Sequence, residues 1–158
     1  MKFLKKIVVL LVAASMFLAV PTVAFAAEGK PPYTDVVEKD VGKNTFKAVS
    51  FIKKHHGFDG VVTGKKFYLD KRITRLEFLI ILVNFYGVKK VPITATDLKK
   101  ANKPITYKWM WAKLGAVAKK LGTSIDNPST SASIVHRDGA ARIVYKICRE
   151  NKKMQPKK

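Results

Sequence analysis

The chain has 158 residues, with 31 lysines and arginines against 11 aspartates and glutamates, and one cysteine, Cys148. A lone cysteine excludes an internal disulfide, so packing has to hold the fold. The formal charge of +20 draws such a chain to anionic surfaces: acidic wall polymers, anionic lipid or nucleic acid.

Residues 1–6 carry three lysines and residues 7–20 form an almost unbroken apolar run. Ala24-Phe25-Ala26 then presents small residues at the third and last positions before a cut. A basic start, a short apolar core and an A-x-A end make a secretory signal peptide over residues 1–26. The apolar run is short for a membrane span and Pro21 interrupts its end. Ala27 rather than cysteine follows the cut, so no lipidated cysteine is expected there. Without those three lysines the remainder keeps 28 basic against 11 acidic side chains, a net +17, on a length that suits one domain or two small repeats. The expected location is outside the membrane.

Phe46, Val49, Ile52 and Lys53 fall near helical spacing, with Gly57 as a stop. Thr74-Arg75-Leu76-Glu77 fits the capping box, in which the threonine hydroxyl accepts from the Glu77 N–H and the glutamate carboxylate accepts from the Thr74 N–H. Residues 78–83 are apolar all round, which predicts a central helix running to Gly87. Met110, Leu114, Val117, Ala118 and Leu121 form one apolar stripe that ends at Gly122. The polar residues 123–133, with Pro128 among them, read as loop. Ala140, Ile143, Val144 and Ile147 predict a last helix, whose start lacks the box because His136 and Gly139 stand where Thr74 and Glu77 stood. Residues 152–158 read as a solvated basic tail.

Short blocks recur in the same order. Thr34-Asp35-Val36 returns as Thr96-Asp97-Leu98 and Ile73-Thr74-Arg75 as Val135-His136-Arg137, both at an offset of 62 residues. The segments beginning at Phe46 and Trp111 match at 65, the difference being cancelled by a shorter loop after Gly122. Shared order points to an internal repeat, with one copy over residues 27–92 and a degenerate one over 93–151. The fold class is all-α, built of tandem helix-loop-helix units.

The order T-D-V, aromatic, short helix to glycine, glycine-containing loop, then Ile73-Thr74-Arg75-Leu76-Glu77-Phe78 resembles the S-layer homology repeat and its I-T-R-A-E-F signature. Tyr33 and Asp35 are similar to its F-x-D-V opening, Trp111 to its first-helix tryptophan, and Gly64 with residues 67–70 to a shortened form of its loop. The resemblance covers most of residues 33–151, most closely 63–85. It implies a helical bundle at the cell surface and attachment to an anionic, often pyruvylated, secondary wall polysaccharide. The signature arginine is then the carboxylate partner, which places binding at Arg75 and Arg137. Guanidinium geometry suits this independently, since its planar fork fits a carboxylate in two parallel hydrogen bonds and a helix start adds N–H groups. Trp109 and Trp111 are the only tryptophans and could stack on a sugar ring or fill the core. Thr74, Glu77, Asp35 and Asp97 are the capping and supporting residues of the site, and Arg75 could equally serve a structural pair. The family's repeats commonly come in threes, and two copies leave a bundle edge for a second copy, a partner or the N-terminal segment to cover.

An enzyme is not expected. Adjacent His55 and His56 point about 100° apart on a helix and cannot chelate together, His136 stands alone, and no metalloprotease or serine-hydrolase motif occurs. Asp59 and Asp70 are isolated, and Cys148 lies on an apolar stripe, where a buried thiol is inert. No metal or cofactor is expected. The competing class is charge-driven binding of extracellular nucleic acid or anionic lipid, since the lysine pairs are dispersed and no base-reading motif accompanies them. A third reading is a structural module that has lost polymer binding.

Overall fold

A computed structural model describes residues 30–126 and 130–155; the expected signal peptide and Pro128 lie outside the described residues. Regular structure within them is helical: α1 Glu38–Val41, α2 Lys43–Lys54, α3 Arg75–Tyr86, α4 Ala95–Lys99, α5 Tyr107–Lys120 and α6 Arg137–Glu150, with short 3₁₀ turns at Val88–Lys90 and Lys152–Met154. The all-α expectation holds among the described residues, where extended backbone is limited to isolated bridges.

Helix α3 starts where the capping box predicts. The Glu77 N–H donates to Thr74 Oγ1 at 3.2 Å and the Thr74 N–H donates to Glu77 Oε2 at 2.8 Å. Gly87, at φ +80°, ends the helix by donating its N–H to the Val83 carbonyl, a left-handed conformation that a side chain would resist. Between these ends Phe78, Leu79, Ile81, Leu82, Phe85 and Tyr86 are buried, and Ile80 and Val83 pack against the same core. Thr74→Ala removes the cap acceptor and is expected to cost about 1 kcal/mol, to be read from the urea midpoint at unchanged slope.

Helix α2 lies along α6, where Phe51 meets Tyr145 edge-on at 5.1 Å. The helix ends earlier than the expected glycine stop: it closes at Lys54, and His56, at φ +58°, takes the left-handed position, while Gly57 is required for space because a Cβ on it would stand 2.2 Å from Phe85 Cε2. Helix α5 begins a turn earlier than its apolar stripe suggests, because Thr106 is an N-cap that accepts from the Trp109 N–H. The tail departs further from expectation. Met154 is fully buried in a 3₁₀ turn, and the Gln155 side-chain amide donates to the Cys148 carbonyl. A flexible thioether fills core gaps well, and its burial anchors residues that composition alone marks as solvated.

Three helix starts meet around one point. The Ile73 N–H donates to the Val135 carbonyl (3.2 Å), the Val135 N–H to the Ile105 carbonyl (3.1 Å), and the Ile105 N–H to the Ile73 carbonyl (2.9 Å). This closed ring satisfies both backbone groups of three residues that are each at most 1% exposed, as buried amides require. Each ring residue is followed by an N-cap position (Thr74, Thr106, His136) and then by α3, α5 or α6. The 62-residue offset relates Ile73 and Val135; Ile105, midway between them, is the third member. The ring therefore closes within one chain.

Candidate functional site

The same rotation governs the first turns of α3, α5 and α6. Their first two N–H groups donate to the preceding loop segment around the ring. Arg75 and Leu76 donate to Lys103 and Ala101, Tyr107 and Lys108 to Ser133 and Ser131, and Arg137 and Asp138 to Lys71 and Leu69. The expectation that helix starts would offer these N–H groups to an anion is thereby corrected. Protein carbonyls already hold them, and what varies is the side chains.

At each interface the first residue of one helix lies against the third residue of the next. Arg137 meets Glu77, Nη2 to Oε1 at 2.9 Å. Arg75 lies over Trp109, its guanidinium carbon 5.6 Å from the ring centroid. Tyr107 reaches Gly139, its hydroxyl 3.5 Å from where a Cβ would be. One backbone arrangement thus carries three chemistries.

Arg137 is 4% exposed and turned inward. Besides Glu77 it donates from Nη1 to the Phe67 carbonyl (2.9 Å) and from Nη2 to the Val61 carbonyl (3.1 Å), with Nε left unpartnered. Nη1 and Nη2 are spent on the loop of residues 61–67 and on Glu77, so the expectation of a second polymer-binding arginine there meets a side chain turned inward with both terminal nitrogens in use. Glu77 feels burial, which alone would raise its pKa. The Thr74 N–H, the Arg137 contact and Lys71 outweigh burial and hold its carboxyl below the usual range.

Arg75 is half-buried and its Nε and Nη1 are buried without a hydrogen-bond partner. Trp109, in the place Glu77 takes at the other interface, supplies a ring face and no acceptor. Leaving a buried donor unmet costs about 1–3 kcal/mol, so Nε and Nη1 of Arg75 are destabilising where they stand. Trp109 is held edge-on to Phe78 (6.2 Å) and flanked by Lys113 at 5.7 Å. The Lys113 ammonium is bonded to Asp97 and to the Pro92 carbonyl, so its charge is matched before any ligand arrives. Burial would raise the Asp97 pKa, but Lys113 and Thr94 outweigh it and hold the carboxyl low.

The remaining expected residues fall into place around this centre. Asp35 accepts the Phe67 and Tyr68 N–H groups, both at 2.8 Å, and so fixes the loop that Arg137 also grips. Asp97 instead closes a capping box with Thr94 at the start of α4, so the two aspartates equated by sequence do different work. Trp111 is 8% exposed and belongs to the core, at the base of a groove lined also by Tyr107 and Ile143. Lys113 and Tyr107 were not singled out by sequence. Tyr107 was legible in principle, because Ile105-Thr106 repeats the Ile73-Thr74 dipeptide.

Among the described residues no group of three His, Cys, Asp or Glu side chains could hold a metal. His56 pairs with Asp59 at 3.1 Å on the exposed surface. The Cys148 thiol, buried beside the Tyr86 hydroxyl (2.9 Å), is pushed up to about 11 by burial, far from a reactive thiolate. No described helix is long and apolar enough to cross a membrane. Compared with known proteins, the chain matches no family model, no curated protein and no solved structure.

Proposed function

We propose that this chain is a secreted, non-catalytic cell-surface protein that binds an anionic wall polysaccharide at the Arg75–Trp109 interface, as a divergent relative of the S-layer homology repeat. The observation that carries the reading is the half-buried guanidinium of Arg75, with Nε and Nη1 unpartnered, beside an indole. The equivalent guanidinium of Arg137 carries the carboxylate of Glu77, which marks where a ligand carboxylate would stand at Arg75. An acid on a sugar ring supplies both halves of the match: the carboxylate for the fork and the ring for Trp109. The basic, apolar, A-x-A pattern of residues 1–26 supports export, and the net +17 of the remainder supports an anionic partner.

Charge alone predicts a different response, and Arg75→Lys separates the two. Lysine keeps the charge and loses the planar fork. Co-sedimentation with purified wall sacculi, with and without chemical removal of the accessory polysaccharide, is expected to weaken about tenfold or more, the equivalent of one charge-assisted hydrogen bond. Co-sedimentation with DNA across the same salt series should stay within about twofold, because one lysine replaces one arginine in a diffuse field. Equal loss on both polymers, or loss on neither, would leave general charge attraction as the function.

A further inference from the structure

Six large apolar side chains stand exposed among the described residues, and three of them, Val88 (68%), Ile93 (41%) and Leu98 (62%), lie on the connection that runs from the end of α3 through α4. Apolar side chains exposed singly are ordinary; these share one stretch whose backbone is held from within. Val91 is buried. The Lys113 ammonium donates to both the Pro92 carbonyl and the Asp97 carboxylate, and Asp97 closes the capping box with Thr94. These inward contacts bracket Ile93 and fix the inner side of α4, so Ile93 and Leu98 are presented outward from an anchored chain. Charge on the stretch has one sign. Lys89, Lys99, Lys100 and Lys103 are exposed, and the one carboxylate of residues 87–103, Asp97, is buried and matched by Lys113.

We infer that this segment docks on an anionic lipid surface, where Val88, Ile93 and Leu98 enter the boundary between headgroups and acyl chains and the lysines meet lipid phosphates. The partner is not the wall polysaccharide, and the contact uses neither Arg75 nor Trp109. Charge complementarity selects an anionic partner, and the aliphatic side chains select among such partners. A hydrophilic polyanion would engage the lysines and leave three aliphatic groups in water. A bilayer takes both, since its interface accepts apolar area and its anionic headgroups draw basic charge. The basic face of α6 gives the contrast. Arg142, Lys146 and Arg149 gather there with no exposed large apolar side chain among residues 137–150, a surface suited to charge alone. Three aliphatic groups supply modest area, so the contact is reversible and depends on both components at once.

The test is flotation of the exported protein, without residues 1–26, on lipid vesicles. Vesicles of equal parts phosphatidylglycerol and phosphatidylcholine are expected to carry the protein, and vesicles of phosphatidylcholine alone to leave it behind. Leu98→Gln should weaken vesicle binding about tenfold, the order for withdrawing one leucine side chain from apolar surroundings, and leave co-sedimentation with DNA within about twofold. Lys99→Gln combined with Lys100→Gln should weaken vesicle binding about tenfold or more, at roughly fivefold per lysine. Leu98 is exposed, so its variant is expected to fold; Val88→Gln, outside α4, is the second variant and should act in the same direction. Arg75→Lys should leave vesicle binding unchanged, so loss of wall-polymer binding and loss of lipid binding are read separately. Absence of binding to the anionic vesicles, equal binding to both vesicles, or indifference to both Leu98→Gln and Val88→Gln would overturn the inference. So would equal losses on vesicles and DNA, which would make the stretch a general polyanion surface, or a loss of vesicle binding in Arg75→Lys, which would place the headgroup at Arg75 instead.

Discussion

Arg137→Ala is expected to cost about 3–5 kcal/mol of folding stability, while Arg75→Ala, at the rotationally equivalent position, is expected to change it by less than about 1 kcal/mol. The difference follows from what each guanidinium touches. Arg137 is buried and joins the Val61 and Phe67 carbonyls to the Glu77 carboxylate, so its removal strands three acceptors and one charge in the interior. It also frees a loop that otherwise holds Phe67, fully buried, against Tyr33 and Phe58. Arg75 has no hydrogen bond from Nε or Nη1 to lose, and the relief of two unmet donors is offset by loss of its contact with the Trp109 ring and of the packing of its stem. Urea unfolding of both variants, with slopes compared to the parent, measures the contrast. Equal losses would mean that the two arginines share one structural role, and would remove the internal reference by which Arg75 is assigned to a ligand.

The helices were legible where local chemistry decides them. The capping box at Thr74 and Glu77 needs only residues three apart, and the stripe from Met110 to Ala118 needs only one helix to bury. The inward turn of Arg137 was not legible, because two of its acceptors are backbone carbonyls some 70 residues away, and a carbonyl leaves no mark on sequence. The threefold ring was half legible. The 62-residue recurrence relates Ile73 and Val135, but Ile105 is followed by Thr106-Tyr107 rather than by an arginine, so the third member lacks the residue that marks the other two. Burial of Met154 shows the same limit from another side: one apolar residue among lysines, docked by the shape of a core assembled from distant segments, has no periodicity to betray it. The candidate site lives in that non-local layer. Arg75 was named from its motif, but its unmet fork, and the contrast with Arg137 that gives it meaning, exist only once α3, α5 and α6 meet.

Glu77→Gln is expected to lower stability by about 1.5–3 kcal/mol at neutral pH, the range for a hydrogen bond to a charged partner, and to flatten the response to acid. Burial would push the Glu77 carboxyl above its ordinary value of 4.5, but the Thr74 N–H, Arg137 and Lys71 hold it lower. A group depressed in the folded state binds its proton more readily when unfolded, so its contribution is complete above about 4.5 and drains away as pH falls through the folded value. The parent should therefore lose stability below that pH, and the gap between parent and Glu77→Gln should close there, since the protonated glutamate and the glutamine both present Arg137 with a neutral acceptor. The Asp97 carboxyl, 6% exposed and paired with Lys113 at 14%, is held low in the same way and should supply much of the acid slope that remains in the variant. Adding Asp97→Asn should flatten the curve further. Denaturant midpoints taken from pH 7 down to pH 3 decide the matter: parallel curves for parent and Glu77→Gln would show that Arg137 does not depend on the Glu77 charge, and that the filled fork is no guide to what the open one at Arg75 lacks.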